Sequence, residues 1–363
     1  MYNLKFLKPL NIGNMKIEIP IFQGGMGVKV STASLASAVA NCGAAGIIAS
    51  VGLGYGTKDY DKHFVEASRE GLRNEIREAK SLTKGAIGVN NLVALSNYED
   101  LVKVAVEEKV DFIVSGAGLP LKLPGLTSGS DIKLIPIVSH PRVAGLIIKA
   151  WKKRYDRLPD AIMVEGPHAG GHLGFAADEL KSDSANSLEA ITKDVIGVVA
   201  SYGVSIPIIV AGGIYTGADI AKFIMLGVSG VQMATRFVTT NECSVAKEFK
   251  DLYVATSNKD DLVIIDSPVG LPGRAIRTKF IDSVTAGKKM PIKCPYQCLK
   301  TCNPATAPYC IAEALCNASV GDIDNAVVFS GTNVTRIEKI ISVKELIDEL
   351  VHEAEAALSK LKN

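Results

Sequence analysis

The chain is short of the residues that several functional classes require. Only 6% of its 363 residues are aromatic, and Trp151 is the single tryptophan. Its 40 basic and 38 acidic side chains are spread evenly and leave a formal net charge of +2. That balance offers neither a basic stripe nor a stacking platform, so a nucleic-acid surface is not expected. No uninterrupted apolar run approaches about 18 residues, so no membrane span is expected. The opening MYNLKFLKPL has no continuous apolar core and no small-residue cleavage site of the kind that directs export. With seven cysteines and no such signal, the expectation is reduced thiols in a cytoplasmic protein. A G-x-G-x-x-G turn after an early strand is missing too; GLGYG at 52–56 has the wrong spacing.

What is present is a regular alternation. At 47% hydrophobic and 21% charged, the chain can bury a large core and is not disordered. Eight short apolar runs recur over the first 240 residues: PIFQGG (20–25), AAGIIAS (44–50), GAIGVNN (85–91), DFIVSGA (111–117), KLIPIVS (133–139), AIMVEG (161–166), PIIVAGG (207–213) and GVQMATRF (230–237). They are nearly continuous in Val, Ile and Ala, as strands buried on both faces are. Amphipathic stretches separate most of them. The run 31–43 reads as a helix capped by Ser31 or Thr32, and 97–109, 187–203 and 216–227 read as three more. Gly203 and Gly227 stop the last two. The connection 118–132, rich in Gly, Pro and Ser, is expected to hold little helix.

Eight β–α units predict an α/β fold, a closed (β/α)8 TIM barrel with a C-terminal extension; an open doubly wound sheet is the alternative. Residues 1–256 would form the barrel. Residues 257–363 would be a Cys-containing cap and C-terminal helix packed beside it, or a small separate domain.

Barrel active sites sit at the C-terminal ends of the strands. Here those ends read QGGMG, GVNN, SGAG, VSH, EGPHAGGH, AGGI and ATR. So many small residues suggest a large flat ligand across the mouth. Gly212 and Gly213, before a helix start, and Ala234 and Thr235, followed by the cation Arg236, supply N–H groups for a phosphate. Tight turns needing glycine for sterics are the plainer reading. Gly24, Gly25 and Met26 would lie under a ring, with Asn90 at its edge; Met26 as simple core packing is the alternative. The strand-6 loop, Glu165 to Gly174, places His168 and His172 where a substrate can reach them. A His-x3-His metal site would need a helix, which Gly170 and Gly171 oppose, so no metal is expected there.

At these residues the chain resembles the nitronate monooxygenases, formerly 2-nitropropane dioxygenases, and the related flavin-dependent enoyl-ACP reductase II enzymes. The matching stretches lie within about residues 18–240: PIFQGGMGVKVSTASLASAVANCGAAGIIAS, GVNN, SGAG, EGPHAGGHLG and PIIVAGGIYTGADIAKFIMLGVSGVQMATRF. The resemblance implies non-covalent FMN, with its phosphate at Gly212, Gly213, Ala234 and Thr235. Its ring would lie near Gly24, Gly25, Met26 and Asn90, with Glu165, Gly171 and Gly174 close by. It implies that His172 is the catalytic or substrate-orienting residue. The substrate would be a small molecule: an alkyl nitronate or nitroalkane oxidised with O2, or an enoyl thioester reduced with NAD(P)H as co-substrate. A non-flavin phosphate-binding barrel is the third reading, and a homodimer is compatible with all three. Three departures bear on the substrate: Ala234 stands where glycine is common, His168 where an acidic residue is frequent, and Ser139-His140 where many nitronate monooxygenases have lysine nearby. His140 either joins the site or caps the next helix.

Cys294, Cys298, Cys302, Cys310 and Cys316 follow one another with spacings x3, x3, x7 and x5. These match neither the C-x2-C pairs of zinc sites nor the ferredoxin run. Were 294–302 helical, three thiols would share one face. Buried thiols packing a cap is the favoured reading, with an iron–sulfur or zinc site as the alternative.

Overall fold

The computed structural model describes residues 4–58 and 60–362. Eight parallel strands form the barrel: β1 (Ile21–Gln23), β2 (Gly46–Ala49), β3 (Ile87–Leu92), β4 (Phe112–Gly116), β5 (Lys133–Val138), β6 (Ile162–Glu165), β7 (Ile208–Ala211) and β8 (Gly230–Met233). β8 pairs with β1. Between β1 and β2, the Ala45 N–H donates to Ile21 (2.9 Å) and the Gln23 N–H to Ala45 (3.0 Å), which joins the two ends of the sheet. All eight expected runs contain a strand. The last is shorter than expected: after Met233 the backbone turns at Ala234 (φ −124°, ψ −59°), and Thr235–Val238 is a helical turn.

The barrel interior is filled by Phe22, Ile47, Phe112, Val114, Ile135, Met163 and Ile209. Phe22 and Phe112 meet edge to face at 5.7 Å. Gly88 makes room for Phe112, whose ring would stand 2.2 Å from any Cβ at that position. A hairpin, Leu10–Ile12 with Met15–Ile17, brings Leu10, Ile12 and Ile17 into the same cluster. Leu10 lies against the start of β8 at Gly230, so the hairpin closes the end of the barrel opposite the glycine-rich mouth.

Six helices surround this sheet in step with the strands: α1 (Ala33–Asn41), α2 (Phe64–Leu82), α3 (Tyr98–Glu107), α4 (Pro141–Tyr155), α5 (Leu188–Ser201) and α6 (Gly217–Met225). After β4 there is one helical turn, Leu123–Leu126, as the Gly/Pro/Ser content predicts. Thr216 caps α6, its hydroxyl accepting the Asp219 N–H (3.2 Å) while the Asp219 carboxylate accepts the Thr216 N–H (2.9 Å). Thr32 stands at the N-cap of α1, as one of the two alternatives has it, but without a side-chain capping hydrogen bond. Ser31 Oγ accepts the Met26 N–H (2.9 Å) and donates to Gly24 (3.0 Å), so it shapes the first strand end instead. The Ala33 N–H goes to the Glu75 carboxylate on α2 (2.6 Å).

The structure divides the chain differently from a boundary at residue 256. Past β8, α7 (Lys247–Ala255), β9 (Leu262–Asp266), β10 (Pro272–Ile276), α8 (Lys279–Thr285), α9 (Ile311–Ser319) and β11 (Val328–Phe329) build a cap over the mouth. The final helix, α10 (Val343–Lys362), returns to the barrel and packs against α6 and α1. Its apolar face, with Leu346, Ile347, Leu350 and Ala354 buried, completes the ring of helices. The cap is therefore an insertion between β8 and the last barrel helix. The approach of α10 to α6 is close because Gly217 lacks a side chain: a Cβ there would lie 2.3 Å from Ala354 N and 2.4 Å from Leu350 O. Gly217→Ala is expected to push α10 outward and to lower stability by about 2–3 kcal/mol, read as a lower urea midpoint with an unchanged slope.

Candidate active site

The mouth of the barrel and the underside of the cap enclose one large cavity. Gly24, Gly25, Met26, Asn90, Glu165, Gly171, His172, Ala234 and Thr235 all line it. Five other expected residues lie elsewhere. His140 caps α4, its Nδ1 accepting the Arg142 N–H (3.1 Å). His168 packs over Gly213, and its carbonyl accepts the Thr332 N–H (3.2 Å). Gly174 faces Ser139, where a Cβ would meet Oγ at 2.7 Å. Gly212 and Gly213 stand just outside the cavity wall, with φ of +92° and +85° that only glycine adopts freely. Arg236 offers no cation to a phosphate there. It is buried, pairs with Glu349 on α10 (2.9 Å) and stacks on Tyr215 (4.6 Å).

His172 is held by the cap rather than by the barrel. Gly171 and His172 form a two-residue strand that pairs antiparallel with β10, opposite Arg274 and Gly273. The Leu173 N–H donates to Pro272 (2.8 Å). The imidazole Nε2 shares a hydrogen bond with Ser267 Oγ (2.7 Å), and the ring meets Phe329 edge to face at 4.8 Å. Arg274, itself buried, reaches back along β10 and donates to the carbonyls of Pro167 (2.5 Å) and Ala169 (2.7 Å). These contacts fix the loop that carries His172. Nothing in the local sequence announces Ser267, Phe329 or Arg274 as its supports.

Burial dominates the electrostatics. Desolvation lowers His172 from 6.5 to about 4, so its imidazole is neutral near pH 7. Desolvation raises Glu165, at the end of β6, from 4.5 to about 7. No lysine or arginine lines the cavity among the described residues.

Several polar groups point to a missing partner. Ser50 Oγ, Asn90 Oδ1 and Gln232 Oε1 line the cavity, are buried, and have no hydrogen-bond partner among the described residues. Such orphans are rare unless a ligand completes them. A Cβ on Gly25 would collide with Asn90 Cβ at 2.3 Å, so glycine lets the first strand end lie flat against Asn90. The N–H groups of Gly212, Gly213, Ala234 and Thr235 also lack an acceptor among the described residues. An anionic group beside a polar ring edge fits these donors and acceptors. Gln232 and Ser50 escaped the sequence reading. The available signal was the polar Gln232 inside the otherwise apolar run GVQM.

The model of a family described as nitronate monooxygenase matches residues 8–353. The chain belongs to the nitronate monooxygenase family. It is an oxidoreductase, and its relatives make it flavin-dependent. A structure of FabK from Thermotoga maritima superposes with a TM-score of 0.75 at 30% identity, covering 95% of this chain and 96% of that one. A probable nitronate monooxygenase of Staphylococcus aureus is 26% identical over 307 residues, 75% of this chain and 79% of that protein. The (3aS,4S,5R,7aS)-5-hydroxy-7a-methyl-1-oxo-octahydro-1H-indene-4-carboxyl-CoA dehydrogenase of Mycobacterium tuberculosis is 29% identical over 273 residues, 75% of this chain and 67% of that relative's length.

In this family member the two shifted groups oppose each other in stability. The folded state holds the Glu165 proton more tightly, so that contribution is present below about 4.5 and is lost as pH rises through about 7. The folded state holds the His172 proton less tightly, so its contribution is present above about 6.5 and is lost as pH falls through about 4. Glu165→Gln removes only the first. Its apoprotein is expected to gain Tm relative to wild type steadily as pH rises from about 4.5 to about 7. An equal difference at all pH values would show that Glu165 titrates normally.

Proposed function

We propose that this family member is an FMN-dependent reductase of an enoyl thioester, with NAD(P)H as the reductant. The observation that carries the reading is the absence of a cationic side chain around the cavity, whose two central ionisable groups are driven toward their neutral forms. An anionic substrate such as a nitronate would be desolvated there without a counter-charge, which is costly. A neutral carbonyl is not penalised. The match to FabK over nearly the whole of both chains supports the same choice.

Bound FMN supplies the hydride acceptor and donor of such a reaction. Gly212, Gly213, Ala234 and Thr235 would hold its phosphate through backbone N–H groups, in the way helix starts bind anions. Ser50, Asn90 and Gln232 would complete the ring edge, and Gly24, Gly25 and Met26 would support its face. The Ser267 hydroxyl accepts the Val269 N–H (3.3 Å), and in the tautomer this reading requires it donates its own proton to His172 Nε2. That leaves the imidazole proton on Nδ1, ready to donate to a thioester oxygen. A neutral donor needs no counter-ion and loses nothing as pH rises toward 8. The Phe329 ring and the cap exclude water from this bond.

The second reading, nitronate monooxygenase, is favoured by the family match and the staphylococcal relatives. It would have to take the neutral nitroalkane. With His172 near 4, the base for that step would be the Glu165 carboxylate.

Anaerobic stopped-flow absorbance separates the two. Rapid bleaching of the flavin by NAD(P)H, with no response to a nitroalkane or its nitronate, is expected. A fast nitronate response with NAD(P)H inert would replace the reductase by the monooxygenase, and a colourless protein that cannot take up FMN would remove both. His172→Ala is expected to keep its flavin spectrum while kcat falls about 100-fold or more. Wild-type turnover in that variant would take His172 out of the mechanism.

A further inference from the structure

The cap holds a second cavity that the proposed reaction does not use. It is small and lies in the segment between α8 and α9, where the chain has almost no regular structure. Residues 294–302 are not helical, so the thiols do not share a helix face; loops bring them together instead. Cys294, Cys298, Cys302 and Cys310 all line this one cavity, and each is a free thiol. The fifth cysteine of the segment, Cys316, lines only the larger cavity. Cys42 and Cys243 lie elsewhere, Cys42 at the end of α1 and Cys243 against Val30.

Four thiols around one void need an explanation. Packing alone is a poor one, because three of the four are only half-buried and the fourth, Cys294, is exposed. A single metal ion fits poorly too. Thiolates sharing one zinc ion sit within about 4 Å of each other, given a metal–sulfur distance near 2.3 Å. No three His, Cys, Asp or Glu side chains among the described residues converge closely enough for that. A cluster of several irons has the opposite requirement. Its thiolates bind different irons at separate corners, so the four sulfurs surround the group without meeting at a point. The donor set agrees: no His, Asp or Glu among the described residues lines the cavity, and sulfur donors alone select soft metals and iron–sulfur chemistry.

We propose that Cys294, Cys298, Cys302 and Cys310 ligate an iron–sulfur cluster.

The surroundings are built for it. The Cys298 carbonyl accepts the Ser96 N–H (3.0 Å), and the Lys300 N–H donates to Ala94 (2.9 Å), so the middle of the loop is tied to the strand end of β3. Cys310 stands at the start of α9. Cys298, Leu299 and Ile311 form the wall common to both cavities. The cluster would thus stand one side chain away from the candidate active site, whatever substrate that site takes.

The test is metal analysis of the full-length protein purified without oxygen and incubated with ferrous iron, sulfide and a thiol reductant, then desalted. Four irons per chain with matching acid-labile sulfide are expected, together with a low-temperature electron paramagnetic resonance signal after dithionite that the cluster gives and a fully reduced flavin does not. Cys294→Ser and Cys302→Ser, neither of which lines the larger cavity, should lose the iron yet keep bound flavin, while Cys42→Ser, far from both cavities, should keep iron and flavin alike. A protein that takes up no iron overturns the proposal, as does one that binds a single zinc ion instead, or one whose two ligand variants retain full iron. If the ligand variants fail to fold, the iron and sulfide count of the wild-type protein decides alone.

Discussion

The position of His172 hangs on a buried guanidinium. Arg274 donates to two carbonyls of the strand-6 loop and has no carboxylate within ion-pair distance among the described residues. Burial lowers its pKa, yet a guanidinium cannot give up its proton near neutrality, so the charge must be met by carbonyl oxygens. Hydrogen bonds to a charged donor are worth about 1.5–3 kcal/mol each, and losing them leaves the partner groups unsatisfied. The same strand pairs with Gly171 and His172. Next to it, the cap backbone at Ser330 and Gly331 lies so near Gly170 that a Cβ would stand 2.4 Å from Ser330 C. The strand-6 loop belongs to the barrel by sequence and to the cap by hydrogen bonding.

That joint ownership shapes the electrostatics. A barrel mouth open to water would leave a histidine near its ordinary value and a glutamate ionised. Covering it moves both toward neutral, and the cavity has no cation to reverse the trend. The few charges nearby are spent elsewhere, Arg236 on α10 and Arg274 on the loop. A site of this kind selects by shape and hydrogen bonding rather than by charge.

The barrel was legible in the sequence because its strands are buried on both faces, and such strands read as unbroken apolar runs. The strand-end glycines were legible for a related reason: QGGMG, AGGHLG and AGGI need small residues at close approaches, and Gly27, Gly25 and Gly170 make the closest of these. His172 was found because a histidine among glycines has few structural reasons to be there. What stayed hidden depends on partners far along the chain. Ser267 matters only because β9 and β10 carry it to His172. His140 looked like a site residue, but Pro141 after it made it a cap. The convergence of the four cysteines is a property of loops whose path no periodicity encodes.

The return of α10 governs the order in which the molecule can be made. The amides of Lys5, Phe6 and Leu7 donate to the Glu355 carboxylate, and Phe6 is 349 residues away from it in sequence. The apolar faces of α1 and α6 are covered along one side by this helix. Until α10 is made, the barrel therefore has an open seam beside α1 and α6, through the time in which the cap is translated. Closure of so long a loop is slow by topology. Until that seam is covered, the apolar side chains of α1 and α6 beside it are surface on which a partly folded chain can aggregate.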